Sequence, residues 1–423
     1  MISSDFAPNE RFDDGLAALR ILFQPWIWRR GTALTRIKIK IESYFPGSRS
    51  FLFLTGRAAL YHVLQALTLK RGDEAVVVGF TCEAVVLPIT ALGLKPVYVD
   101  IEPDTYGPNV DDVQKKITKR TRVLILQHTF GIVPAHRAKL LEIAKKNDVI
   151  VIEDLAHGFA PGYFKKETEG TIKLLSFGRS KAVSSVFGGA IITSDGNLIT
   201  RLKSIEKRLA QPSLFFLIRA IKYKLLALII RWTYDILIGK ALHFILSATD
   251  ILTREITTRE KEGRFDGYFN KVYPNALAYL GIHQFKKFEQ IQDSRSSIVA
   301  YYNGAISKKL ERARLARGKN PLIRYPVLID NRDEVLAAFA KKNIFLGRWY
   351  DQPVGPNGLD LGRVGYRRGS CLVAESVCDR IINLPTYISL RQAKRIVNLL
   401  DELTTTNYSP LSKKLKKKAK KKK

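Results

Sequence analysis

Short apolar runs punctuate the first half of this chain: Ala75–Val78, Pro96–Val99, Val123–Leu126, Val149–Ile152, Ile172–Ser176 and Ala190–Thr193. Most are rich in β-branched residues, and they lack a clean alternation of apolar and polar positions. Strands buried on both faces of a mostly parallel sheet read this way. Between them lie segments with helical spacing. Gly56–Lys70 carries Leu60, Val63, Leu64 and Leu67 on one face, and Glu83–Leu92 and Ala135–Lys146 follow. Strands alternating with helices predict a doubly wound α/β domain. Residues 1–50 read as helices and connectors, with Trp26 and Trp28 beside Arg29 and Arg30 as a candidate surface contact. Further on, one long helix is expected from Pro274 through Tyr302. From Leu322 the pattern is that of a small α+β unit: a strand at Leu322–Ile329, a helix at Arg332–Lys342, a strand at Ile381–Pro385 and a last helix at Ser389–Leu403.

Residues 210–250 break the alternation. They are unusually apolar, yet no uncharged run reaches the ~18 residues that a membrane-spanning helix requires. Ile218, Ile221, Leu225, Leu228, Trp232 and Ile236 follow helical spacing, and Arg219, Lys222, Lys224 and Arg231 flank that stripe. Such a helix either packs on its own domain or a subunit partner, or lies in the surface of an anionic membrane.

Charge sharpens the second alternative. The 423 residues carry a formal net charge of +31, and nine lysines fall within Lys413–Lys423 with no acid among them; without those nine the chain still carries +22. A body this basic attracts nucleotide-linked substrates, acidic headgroups or nucleic acid. A polybasic tail and an amphipathic helix together form two weak membrane signals. No helix-turn-helix, zinc-finger or aromatic RNA-binding signature accompanies the charge, so specific nucleic-acid recognition is not expected. Three cysteines, Cys82, Cys371 and Cys378, suggest neither a disulfide framework nor a metal site. With no basic segment followed by an apolar run at the N-terminus, the expectation is a reducing cytoplasm, with peripheral contact at the inner face of the membrane as an addition to it.

The candidate chemistry centres on Lys181. Ile150–Asp154 reads as a buried strand ending in a carboxylate, and the segment from Leu174 to Lys181 as a strand ending in a hydroxyl, Ser176, and an amine. A carboxylate and a lysine at neighbouring strand ends suit pyridoxal 5'-phosphate (PLP). The lysine forms a Schiff base with its aldehyde, and the aspartate keeps the pyridine nitrogen protonated so that the ring accepts electrons.

The order of Thr55–Leu60, Gly72–Thr81, Lys95–Thr105, Val151–Asp154, Ser176–Lys181 and Gly188–Gly189, continued in Asn275–Gln284 and from Cys371 through Pro385, resembles the DegT/StrS-type sugar aminotransferases, PLP enzymes of fold type I. The resemblance covers about Leu54 to Leu403 apart from the apolar insertion. It implies an N-terminal helical segment over 1–50, a large PLP-binding domain over 51–255, a connecting helix with a small C-terminal domain over 256–405, and a disordered basic tail over 406–423. It implies Lys181 as Schiff-base lysine and proton carrier, Asp154 under the pyridine nitrogen and Ser176 on the cofactor phosphate. Gly56, Arg57 and Ala58 begin a helix, where backbone N–H groups bind phosphate. Arg57 stands where the family usually has a small hydroxyl residue, and either adds a charged phosphate contact or points to solvent. His157 takes the place of a glutamine that contacts the cofactor hydroxyl, and Cys82 that of an aromatic stacked on the ring. Asn270 matches an asparagine that reaches the neighbouring subunit's phosphate, although Val272 replaces the basic residue two positions later. The implied substrates are a nucleotide-linked keto-sugar and an amino-acid donor, usually glutamate, in a homodimer serving polysaccharide or amino-sugar synthesis. Two other readings stand beside this one. Sugar dehydratases of the family carry histidine in place of the lysine, and a non-catalytic membrane-associated scaffold would use the charge alone.

Overall fold

The computed structural model describes residues 1–160, 170–249, 251–252, 254–306, 310 and 320–406. The polybasic tail therefore lies outside the described residues. Seven strands form the central sheet: Arg49–Phe53 (β1), Glu74–Val78 (β2), Lys95–Val99 (β3), Thr121–Gln127 (β4), Ile150–Asp154 (β5), Ile172–Ser176 (β6) and Gly189–Thr193 (β7). Their spatial order is β1-β7-β6-β5-β4-β2-β3. The β2, β3, β4, β5 and β6 neighbours pair in parallel, while β7 runs antiparallel to both β6 and β1.

Adjacent residues of the strands serve two separate cores. Phe51, Phe53, Leu174 and Ile191 join one buried cluster, and Leu52, Leu54, Leu175, Ala190 and Ile192 join the other. This is the two-sided burial that runs without alternation require. The strand β1 was not expected, because the regular pattern begins only at Leu54. Its partner β7 covers one edge, while Glu42, Glu206 and a single antiparallel bridge to Val272 engage the other, so it is an antiparallel border on a parallel sheet.

Five helices matter below: Phe12–Leu22 (α1), Gly56–Ala66 (α2), Leu214–Thr233 (α3), Ile238–Ala248 (α4) and Leu390–Thr406 (α5). The single helix expected from Pro274 to Tyr302 is two, Asn275–Lys286 and Phe288–Ala305, with Lys287 between them at φ −110°, ψ 11°. The Lys287 ammonium is fixed there by Asp13 and Asp14, 2.7 Å from each. The C-terminal unit pairs Arg324–Leu328 antiparallel with Ile381–Pro385. Two short parallel pairings stitch it to the rest: Ile344–Phe345 with Ile2–Ser3, and Val354–Gly355 with Thr81–Cys82.

The insertion turns differently from its expected stripe. Lys224, expected to flank an apolar face, is fully buried; its ammonium lies 2.5 Å from Glu10 and donates to the Ser184 carbonyl at 3.1 Å. Arg231 also turns inward and donates to the carbonyls of Ala7 and Glu10. Trp232, expected on the buried stripe, is 63% exposed. Trp28, expected at a surface, is buried with its indole N–H on the Ile21 carbonyl at 2.6 Å, while Trp26 remains exposed. The helix packs by Phe216, Leu217, Ala220, Ile221 and Tyr223 instead. Two inward cations decide the rotation, because each meets an acceptor that would otherwise be buried alone.

A second buried charge centre sets the end of β5. Glu153 accepts from Arg137 at 2.8 and 2.9 Å, from Thr171 at 2.7 Å, and lies 3.0 Å from His128. Burial alone would raise this carboxyl, but the hydrogen bonds and charges of Arg137 and His128 outweigh it and hold it far below the ordinary range.

Two stability measurements follow from these centres. Lys224→Ala strands the buried Glu10 carboxylate and is expected to cost ~3–5 kcal/mol in urea unfolding, whereas the double change Glu10→Gln with Lys224→Met recovers most of that loss. Equal losses in the two variants would refute this account. Glu153 has a depressed folded pKa, so its contribution is present above the unfolded value of about 4.5 and fades as pH falls toward the folded one. Glu153→Gln should therefore be destabilising by ~3 kcal/mol near neutrality, with the gap to the parent chain narrowing in acid. A gap independent of pH would contradict this.

Candidate active site

The carboxyl end of β5, the turn after β6 and the start of α2 meet around one cavity of about 450 Å³. Binding sites of open α/β sheets lie at such strand ends. Its walls include Gly56, Arg57, Cys82, Asp154, Ser176 and Lys181. The two groups on which the sequence reading turns, Asp154 and Lys181, thus face a common space. Ala58, His157 and Asn270 are not on its walls.

Lys181 is held from behind. Its carbonyl accepts from the Asn9 side chain at 2.6 Å, and the loop downstream is tied through Ser184 to Glu10 and Lys224. Its amine lies 2.9 Å from His157 Nε2 and 5.1 Å from the centre of the Trp349 ring. Burial chiefly, with Arg324 adding to it against the pull of Cys82, Asp154 and Glu255, lowers the amine's pKa. Burial, then Lys181 and Arg324, pushes His157 well below its ordinary value, so the imidazole is neutral. Its Nδ1 accepts the Phe130 N–H at 3.4 Å. That assigns the proton to Nε2, the nitrogen that faces the Lys181 amine. His157 therefore acts on the amine rather than forming part of the cavity wall.

Asp154 is buried, and burial raises its carboxyl despite the Ala156 N–H donated to Oδ1 at 2.9 Å and the nearby Lys181. A raised carboxylate is a stronger partner for a cationic ring N–H than an exposed one. At the other end of the cavity, Thr55 caps α2 and accepts the Ala58 N–H at 3.2 Å. That N–H is thus used by the cap, contrary to the expectation for Ala58. The neighbouring backbone is packed too closely for side chains. A Cβ on Gly56 would stand 3.2 Å from Ser176 Oγ, and one on Gly189 would stand 2.5 Å from the Thr55 carbonyl oxygen. The Ser176 hydroxyl and the first N–H groups of α2 consequently share one small cradle, which suits a phosphate. Amine, carboxylate and cradle together are the donor set that PLP needs, so the residues present fit the cofactor.

Arg57 departs from both readings given for it. It is buried, neither free for phosphate nor in solvent. Its guanidinium lies 3.0 Å from Glu260 and 3.8 Å from Glu83, donates to the Glu255 carbonyl, and packs 4.5 Å over the Phe269 ring. Cys82 keeps a protonated thiol, since burial and Glu83 push it up to about 12. It is a small wall residue, without the face that an aromatic would offer. Asn270 ends a short helix at Phe269, with its side-chain oxygen buried.

Several wall residues had no signal in the sequence pattern. Trp349 and Tyr350 arrive from the C-terminal unit through the Val354–Gly355 pairing, and Tyr350 stacks on His157 at 14° between planes. Arg324 lies 3.7 Å over Trp349 and pairs with Asp5 at 2.7 Å. Glu83 also lines the cavity, and burial, countered by Arg57, raises its carboxyl to about 7. These groups come from distant parts of the chain, and only the tertiary pairing brings them together.

Comparison with known proteins agrees with this geometry. The model of the DegT/DnrJ/EryC1/StrS aminotransferase family matches residues 14–212 and 258–401. An uncharacterized protein, MJ1066, of Methanocaldococcus jannaschii is 27% identical over 390 residues, covering 87% of this chain and 90% of that protein. GDP-perosamine synthase of Escherichia coli O157:H7 is 31% identical over 178 residues, which is 42% of this chain and 49% of that enzyme; the chain thus matches about half the length of this characterised relative. Among solved structures, the sugar aminotransferase Spr1654 of Streptococcus pneumoniae in its PMP form superimposes with a TM-score of 0.71 at 17% identity, covering 95% of this chain and 99% of that one, and so shares its fold. The chain belongs to the DegT/DnrJ/EryC1/StrS family of PLP-dependent aminotransferases.

Proposed function

We propose that this protein transfers an amino group from an amino acid, glutamate by preference, to a nucleotide-linked keto-sugar. The observation that carries the reading is the common cavity shared by the Lys181 amine, the Asp154 carboxyl and the Ser176–Gly56 cradle. Bound PLP supplies an electron sink that stabilises negative charge developing at the carbon bearing the amino group. Lys181 holds the cofactor covalently and, once released, is the base that moves a proton between two carbons. Its lowered pKa favours that task, because the uncharged amine is the form that accepts a proton. His157 presents Nε2–H to the same point and orients the amine. Asp154 keeps the ring nitrogen protonated. Ser176 and the start of α2 take the phosphate, and Ala58 supports the turn through the Thr55 cap. Arg57 is a positioning residue that draws the Glu255–Glu260 segment over the site.

The sugar reading rests on the family and on relatives such as GDP-perosamine synthase. The basic body favours an anionic nucleotide sugar. Lysine at position 181 favours transamination over dehydration. We place the active form in a homodimer, in which Asn270 reaches the partner's phosphate site, and assign it to amino-sugar synthesis for surface polysaccharide. Among the described residues no helix is long and apolar enough to cross a membrane, and we assign the protein to the cytoplasm.

Purified protein should be yellow, and borohydride should attach the cofactor to Lys181 as judged by peptide mass. Lys181→Ala should retain no covalent cofactor and lose at least ~10⁴-fold in amino transfer from glutamate; yellow colour fixed to another lysine would overturn the assignment. A second measurement uses Glu83. Its carboxyl ionises at about 7, so the wall gains a negative charge as pH rises through that value. Binding of an anionic nucleotide sugar should weaken above pH 7, and Glu83→Gln should remove that dependence. An unchanged pH profile in Glu83→Gln would exclude this role.

A further inference from the structure

Three helices leave apolar faces uncovered, and the faces adjoin. On α1, Phe12, Leu16, Leu19 and Phe23 are exposed at a 4-3-4 spacing, one side of the helix. On α3, Ile229 and Trp232 are exposed, and the turn that follows exposes Ile236 and Leu237. On α4, Phe244 and Ile245 are exposed. Phe12 stacks on Trp232 with ring centres 5.8 Å apart, and Gly15 lies directly against Leu228, so α1 and α3 present one surface. An apolar surface shared by three helices is unusual on a lone chain and marks a contact site. Two of these helices lie in residues 213–257, the stretch between the two segments that the family model matches. The α3 and α4 part of the surface is therefore an addition to the shared catalytic frame, laid beside α1.

Its charge names the partner. Of the cations in residues 214–249, Lys224 and Arg231 turn inward, which leaves Arg219, Lys222 and Lys240 against a single acid, Asp235. Asp235 is already engaged by the N-terminal amine at 3.0 Å and by Asn343 at 2.7 Å. Lys222 and Lys240 are exposed beside the apolar face. Arg395 of α5 acts on Asp235, and α5 ends at Thr406, ~16 Å of helix further on. Residues 407–423 can extend up to ~56 Å from there, so the lysines reach this face by length alone. A second copy of the chain would bring like rather than opposite charge to this face, whichever other surface the homodimer uses. A bilayer rich in acidic lipids offers both an apolar interior and negative headgroups.

We propose that the joint face of α1, α3 and α4 docks on the anionic leaflet of a lipid bilayer, with its aromatic side chains at headgroup depth and the lysine-rich end as a second anchor. The proposed contact is peripheral; among the described residues no helix is long and apolar enough to cross a membrane. It brings the aminotransferase to the membrane surface and does not depend on the identity of its sugar.

Flotation of the full chain with phosphatidylcholine vesicles, with and without phosphatidylglycerol, tests the proposal. The parent protein should float only with phosphatidylglycerol present. The double variant Ile229→Glu/Trp232→Glu should lose at least ~10-fold in partition, and so should Leu16→Glu/Leu19→Glu, which changes the other exposed helix without touching the insertion. A chain ending at Ser412 should float more weakly and lose the remainder in high salt. PLP uptake and circular dichroism show which variants are folded, and either folded variant suffices. Equal flotation of the parent and a folded apolar variant would overturn the proposal, because binding would then be charge alone. A folded variant that falls from dimer to monomer in sedimentation velocity would also overturn it, assigning the face to a second copy.

Discussion

The site depends on keeping one amine out of water. Lys181 acts as a base through its uncharged form, and burial is the largest influence lowering its pKa toward that form. That burial is assembled from three parts of the chain. The sheet supplies Asp154 and Ser176 at adjoining strand ends. The C-terminal unit supplies Trp349 and, behind it, Arg324. The N-terminal segment supplies Asn9 and Glu10 against the backbone of the Lys181 loop. Loss of any one of the three would let water reach the amine or let the loop shift.

Much of this was legible in the sequence because it is local. Apolar runs without alternation gave the doubly buried strands, and β6 and Ile381–Pro385 fall where the pattern puts them. The carboxylate at the end of β5 and the lysine after β6 are close along a parallel sheet whatever else the chain does. What failed to show was non-local. β1 has five residues and one exposed border position, too little to signal an edge strand. The break at Lys287 comes from Asp13 and Asp14, some 270 positions away. For Arg57 the sequence left a phosphate contact and solvent equally open, and only the fold shows Glu83 and Glu260 against it.

The insertion shows how a helical stripe can mislead. Spacing alone assigned Lys224 to a flank and Trp232 to the buried side, and the structure reverses both. Hydrophobic periodicity measures where apolar residues lie around a helix. It does not register that a lysine can be the most deeply buried residue when a carboxylate waits for it. The same reversal leaves Trp232 and Ile229 outside, in line with the uncovered side of α1.

The Glu10–Lys224 pair joins two stretches that both lie outside the residues the family model matches. Lys224 belongs to a segment the family model skips, and Glu10 precedes the point where that model begins to match. Each charge is tolerable only in the other's company, so neither could have been gained by itself without harm. Kindred chains without the extra helices should have no acid at the Glu10 position, and those that keep the acid should keep the lysine, so that the two are inherited as a unit.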